Sequence, residues 1–430
     1  MPKNSWNRSV FALTAVLLAA APAAALDLTK GAVFVQGDDV AGGNKIHAFA
    51  RETDGRLTYV NAFSTGANGS GETWINEGTH SVVRDGDLLF VTNSGLGLDL
   101  SGLGGLLSLQ LGNIINDVTS GSISVFQIEP TGLVLKDVKS THGINPVTVA
   151  RRGNLVVVVN EKNNSVQSYK LGSDYKLTPV SNVVLNTNTL HGGALAHPSD
   201  VVFSRDGTKI VIAERQYPAA LAVPDQSWFI DVASINPTTG VVSNVVNNDI
   251  GAIEGAGSKS AEPFGLIVAA SGAVVVTHGR YELPYGSYEA TYEIQPDNTL
   301  ARSSFVPSGG WDDCWSTTVA STVPGQEWYY EQSFFDSAIR VAPLTNVLGE
   351  FRLVGTSGLP VGIGGVDIAS TPSSTRSEEP TFLYALNNPS VPGSTKIVGY
   401  QVNRATGDLQ KVGEYGADKL PITAVGIAAR

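Results

Sequence analysis

A strand–turn–strand unit recurs seven times along this chain, and that repetition leaves few folds open to it. The first half of the unit is clearest in HPSDVVFSRDGTKIVIAE (197–214), where Asp206-Gly207 turns the chain between two β-branched runs. The second half shows in KIVGYQV (396–402), the turn Ala405-Thr406-Gly407-Asp408, and LQKVG (409–413). Second strands begin at Ala32-Val33-Phe34, Leu88-Leu89-Phe90, Leu155-Val156-Val157, Ile210-Val211-Ile212, Val274-Val275-Val276, Trp328-Tyr329-Tyr330 and Phe382-Leu383-Tyr384. A first strand precedes six of these, and the unit at Ala32 lacks its own. At the other end, Ala424-Val425-Gly426-Ile427-Ala428-Ala429 has first-strand character and nothing follows it but Arg430. The two incomplete units complement each other. This predicts an all-β, seven-bladed β-propeller whose ring is closed by the C-terminal strand pairing with Ala32 to Gln36 in the first blade. A β-sandwich, or two smaller β-domains, would leave both the count and the split unit unexplained.

Composition agrees and excludes several classes. With 47 glycines, 21 prolines and 42% hydrophobic residues in 430, the chain is turn-rich and has ample material for a core. A formal charge of −11 with no basic run argues against nucleic acid and anionic membranes as partners. Lys3 and Arg8, the apolar stretch from Phe11 to Ala20 and the run Ala23-Ala24-Ala25 read as a signal peptide over residues 1–25. Its removal leaves 26 basic against 39 acidic residues, a formal charge of −13, on a single domain of residues 26–430. A secreted, extracellular monomer without stable membrane insertion is expected. Cys314 is the only cysteine, so no intramolecular disulfide is possible, and it reads as a packing partner of Trp315. Asn68-Gly69-Ser70 and Asn163-Asn164-Ser165 are N-glycosylation acceptor patterns, which makes a glycoprotein an expectation in a eukaryotic host.

Propeller geometry sorts the polar residues by face. Loops between blades and loops joining second to third strands open at one end of the central channel. That end should carry His80, His142, His191, His197, Glu262, Trp311, Asp312 and Asp313 from the first kind of loop. The second kind contributes Asn93, Asn160, Glu161, Glu214, Arg215, His278, Arg280, Glu331 and Asn387. Five of the six histidines fall there. A mouth rich in His, Glu and Arg suits proton transfer beside a carboxylate or oxyanion, and equally a water-filled polar channel. One stretch breaks the rhythm: residues 94–121 swell into a glycine- and leucine-rich insertion, read either as leucines folded onto their own blade or as a lid, with a short helix over 103–111. No His-Glu-x-x-His motif, cysteine–histidine set or phosphate loop is present, so neither a metal nor a cofactor is expected. Asp312-Asp313 offers a pair of acids for Ca²⁺ at the channel mouth, but two adjacent acids are insufficient by themselves and a solvated turn is the simpler reading.

The segments HPSDVVFSRDGTKIVIAE (197–214), EPFGLIVAASGAVVVTHG (262–279), CWSTTVAS (314–321) and LPITAVGIAAR (420–430) resemble secreted members of the lactonase family of seven-bladed propellers, over residues 31–430. That family includes propeller-type 6-phosphogluconolactonases and 3-carboxy-cis,cis-muconate cyclases. The resemblance implies chemistry on lactones of sugar acids or muconates, with no metal required for the muconate cyclisation, and with His, Glu and Arg in the channel. His197 and Asn160-Glu161 match the family pattern best, with Glu214 and Arg215 at a comparable strand end. The expected activity is a lactone hydrolase or cycloisomerase for a small carboxylated or sugar-derived substrate. His197 or Glu214 would be the base, Arg215 or Arg280 the anion donor, and His142 and Glu161 supporting partners. The alternatives are a non-catalytic propeller binding carbohydrate or protein, with Tyr281, Tyr285, Tyr288, Trp311 and Trp315 as stacking surfaces, and a uronic-acid polysaccharide lyase.

Overall fold

The computed structural model describes residues 26–40, 43–71, 80–95, 121–185, 196–216, 228–254, 262–279, 284–356, 364–373 and 378–430. Seven four-stranded antiparallel sheets form among them, with one short helix, Ile250–Glu254. Each blade runs from the channel outward in chain order, except the first. There the order is Gly426–Ala429, Ala32–Gln36, Lys45–Arg51, Leu57–Ser64. The seven second strands fall where the repeat placed them. The segment 94–121 and the proposed helix at 103–111 lie almost wholly outside the described residues, as do residues 1–25.

Ring closure has a defined register. Val33 pairs with Ala429, Phe34 with Ala428, Val35 with Ile427 and Gln36 with Gly426. The ladder extends one residue each way: Val425 N donates to Gln36 O (3.0 Å), and Arg430 N to Ala32 O (2.8 Å). All four residues of Gly426–Ala429 are buried, so the closing strand forms part of the core and leaves no open sheet edge at the seam.

The apolar residues bury between blades. One cluster joins blades 6, 7 and 1 through Trp315, Tyr330, Leu383, Phe49 and Ile427. Others join blades 1 and 2, 2 and 3, 3 and 4, 4 and 5, and 5 and 6. Every blade interface is therefore dry, and the ring is held by side-chain packing because the lone thiol, Cys314, is buried and free. The hairpin at Asp206-Gly207 turns as its sequence demands: Gly207 takes φ 75°, a region open to glycine at little cost.

Residues 26–30 carry no strand, yet they pack into the core. Leu28 is fully buried between blades 1 and 2, and its N–H donates to Pro130 O (2.9 Å). Several residues assigned to mouth loops, His197, Glu214, Arg215, His278, Asp313 and Glu331, instead form the ends of first and second strands, because the ladders run farther than the apolar pattern does.

Deleting residues 420–430 should abolish cooperative thermal unfolding, because it opens the first blade. Leu28→Ala should cost about 2–5 kcal/mol in denaturant titrations yet keep the ring closed. Comparable small losses for both would refute closure by the C-terminal strand.

Candidate active site

A recurring irregularity in the first strands prepares the site. The register shifts by one residue between Pro146 and Thr148, Pro198 and Asp200, Asp313 and Trp315, and Gly365 and Asp367. A bulge re-aims the side chain that follows it. At two of these positions it presents an aspartate that ties one blade to the next. Asp200 accepts from Leu266 N of blade 5 (2.7 Å) and Thr148 Oγ1 of blade 3 (3.0 Å), and Asp367 accepts from Ile427 N of the closing strand (2.8 Å).

His80, ahead of blade 2, completes this arrangement. Its Nδ1 lies 3.0 and 3.1 Å from the two oxygens of Asp200 in blade 4, and it interacts electrostatically with Asp367 in blade 7. Blades 2, 4 and 7 are not neighbours, so these side chains can meet only near the axis. Burial disfavours the charged ring, but the hydrogen-bonded Asp200 carboxylate and the more distant Asp367 outweigh it and lift His80 to about 9. The imidazole is 32% exposed, which leaves it in contact with the channel. Its backbone sits at φ 55°, a region unfavourable for a side-chain-bearing residue and sustained here by the surrounding contacts.

The second group lies at the end of blades 3 and 4. Arg215 is paired across the ladder with His197. Its Nη2 donates to Glu161 Oε1 (3.0 Å), and its guanidinium lies over the ring of Phe264 at 5.2 Å. Asn145 also donates to the Glu161 carboxylate. Arg215 and Glu161 are 6% and 3% exposed, so their charges meet in a dry environment. His197 remains partly exposed. Its Nδ1 lies 3.2 Å from the carbonyl oxygen of Glu161, an acceptor only, so Nδ1 carries the proton and Nε2 the lone pair. Burial lowers the His197 pKa, with Arg215 adding to the effect and Glu161 opposing it, so the ring is neutral at pH 7.

Of the six residues expected from sequence, His197, Glu161 and Arg215 come together. Glu214 does not join them. Strand alternation turns it to the other face of its sheet from Arg215, where it is 1% exposed and interacts with Asp231 of the same blade. Burial raises both carboxyls, so the ionised form that a base would need is disfavoured at Glu214. His142 is exposed, and its hydrogen bonds run through its backbone N–H and carbonyl. Arg280, His191 and Tyr281 lie outside the described residues. His278 is buried and stacked on Tyr288 at 4.5 Å, and burial depresses it to about 3, which makes it a neutral core residue. Cys314 and Trp315 are buried as expected, with Trp315 edge-on to Phe264 at 5.4 Å. Asp313 is no solvated turn: it is fully buried at the head of its strand. The sequence reading placed His80 at the mouth and missed its role. The available signal was an aspartate inside an apolar first strand, in both SDVVF and GVDIA.

No protein-family model matches the chain, and no curated protein matches its sequence. Solved structures do match. A candidate 6-phosphogluconolactonase from Bacteroides uniformis aligns over 93% of this chain and 99% of its own, with a TM-score of 0.62 and 15% identity. A second, from Bacteroides fragilis, gives 0.60 and 14% over 93% and 98%. The periplasmic gluconolactonase PpgL of Pseudomonas aeruginosa gives 0.61 and 13% over 93% and 98%. The chain shares the seven-bladed propeller fold of these structures. At these identities the likeness is one of architecture.

The charged His80 makes alkaline stability a test of the axial pairing. Its folded pKa lies above the ordinary value near 6.5, so its stabilisation is complete below about pH 6.5 and is lost as pH rises through about 9. The melting temperature should fall between pH 7 and 10, and His80→Gln should flatten that fall. Parallel curves for the two proteins would reject the pairing.

Proposed function

We propose that this protein is a lactone-processing hydrolase or cycloisomerase acting on a small carboxylated or sugar-derived substrate at the channel mouth. The observation that supports this most is the convergence of a neutral, partly exposed His197 with the buried Arg215–Glu161 pair, on the end of the channel that also holds a cationic His80. Nε2 of His197 would take a proton from water in hydrolysis, or from the carbon or hydroxyl that reacts in cyclisation or its reverse. The hydrogen bond from Nδ1 to the Glu161 carbonyl keeps the ring in the required tautomer. Arg215, oriented by Glu161 and Phe264, and the His80 imidazolium supply positive charge for a substrate carboxylate or a developing oxyanion. The net negative charge of the whole chain makes such local cations necessary for an anionic ligand. Action outside the cytoplasm is part of the same reading and rests on residues 1–25.

Carbohydrate binding without turnover is a second reading, favoured by an aromatic ledge. Tyr285 is exposed and lies 6.5 Å from Trp311, which stacks on Phe335 at 5.1 Å.

Purified protein should open or form at least one member of a panel of sugar-acid and muconate lactones, followed by NMR. His197→Gln should lower kcat by about 10²–10⁴-fold and remove an acidic limb of the pH profile lying below 6.5. Arg215→Lys should chiefly raise KM for carboxylated substrates. No turnover across the panel, together with sugar binding that is lost in Trp311→Ala, would replace the first reading with the second.

A further inference from the structure

Between blades 5 and 6 the interior holds more negative charge than its side chains neutralise. Glu289 comes from the third strand of blade 5 (Tyr288–Ile294), Asp313 from the head of the first strand of blade 6, and Glu331 from its second strand. All three are fully buried, and one oxygen of each lies within 4.8 Å of the other two. Among the described residues, one cation faces them. Arg340 Nη1 lies 3.1 Å from Glu331 Oε1 and 3.9 Å from Asp313 Oδ1, but its Nη2 is committed to a fourth acid, Asp336, at 2.7 Å. Asp313 also accepts from Ser333 Oγ (2.5 Å) and from Ser308.

Glu289 is different. Among the described residues neither of its oxygens makes a hydrogen bond of normal geometry, Asp313 being a close carboxyl neighbour, and the same is true of the Tyr329 hydroxyl, which is fully buried and interacts electrostatically with Glu289, Glu331 and Asp313. The Ser316 hydroxyl neighbours Tyr329 and interacts with it, but it too makes no hydrogen bond of normal geometry. Two carboxylate oxygens and a phenol left unsatisfied in a dry interior are costly unless something binds them.

We propose that Glu289, Asp313 and Glu331, with the Tyr329 hydroxyl, form a buried Ca²⁺ site that joins blades 5 and 6. The donor set is all oxygen, which selects a hard cation. The spacing selects its size: Ca²⁺ takes oxygens at about 2.3–2.6 Å, so ligands up to about 5 Å apart can share it, whereas Mg²⁺ at about 2.0–2.1 Å would require a tighter cage. A divalent cation together with Arg340 would offset three of the four negative charges of Glu289, Asp313, Glu331 and Asp336. Without it, burial and mutual repulsion push Glu289 and Glu331 well above the ordinary carboxylate range. No motif announces the site in the sequence, because its ligands are single residues on three strands of two blades. It is independent of the lactone reading.

The test uses full-length chelator-treated protein, titrated with CaCl₂ while the melting temperature is followed, and with Tb³⁺ while luminescence sensitised by nearby aromatic rings is followed. The melting temperature should rise with Ca²⁺ and much less with Mg²⁺. Tb³⁺ emission should appear and be displaced by Ca²⁺, and Glu289→Gln should weaken both ions at least about 10-fold. Absence of a Ca²⁺ effect in the wild-type protein, equal stabilisation by Mg²⁺, or unchanged affinity in Glu289→Gln would overturn the proposal. Should Glu289→Gln fail to fold, Tyr329→Phe takes its place: weakened Ca²⁺ binding supports the site, and unchanged binding overturns it.

Discussion

Everything in this molecule depends on four residue pairs at the ring seam, Val33 to Gln36 against Ala429 to Gly426. A propeller is otherwise a row of sheets in which each touches only its neighbours. Pairing the C-terminal strand with the first blade turns the row into a closed ring, and closure brings residues from non-adjacent blades to a common axis. No disulfide is available to share the load, since Cys314 is alone. The seam is reinforced by a polar contact at its inner edge, where Asp367 of blade 7 accepts from Ile427 N. Asp200 does the same between blades 4 and 5 through Leu266 N, so one device both stitches blades and places a carboxylate beside the channel.

The distribution of buried charge separates structure from chemistry. For Glu214 with Asp231, and for His278 against Tyr288, burial disfavours the charged form, and neutral polar groups can remain in an interior at tolerable cost. Arg215 with Glu161, and His80 with Asp200, are charges kept by specific partners. Arg215 with Glu161 lies beside His197, a partly exposed histidine whose charged form burial disfavours, while His80 with Asp200 ties non-adjacent blades together. Charges fixed by partners in this way differ from those of a uniformly polar, solvated channel.

The fold was legible in the sequence because its signals are local and repeated. The Asp206-Gly207 hairpin, the alternation in 396–402 and the orphan strand at 424–429 each follow from the two-residue period and from turn chemistry. Half of the site was legible for a similar reason: polar residues directly after an apolar strand, such as Glu161 and Arg215, emerge at its end. What escaped was set by orientation and by distance in the chain. Strand alternation sends Glu214 and Arg215 to opposite faces, a matter of register that neighbouring positions conceal. The His80–Asp200 contact spans 120 residues and depends on a bulge at Ser199. The acids of blades 5 and 6 were invisible for the same reason, since only the packing of two blades makes them one group.

A crystal structure of the protein with gluconate, a sugar acid of the kind a lactonase would release, bears most directly on whether the mouth is the reacting centre. Gluconate should bind inside the channel with its carboxylate beside Arg215 or His80 and an oxygen within hydrogen-bond distance of Nε2 of His197. Gluconate bound only on the opposite hairpin face or along the outer strands, with the mouth unchanged, would contradict the assignment of lactone chemistry to these residues.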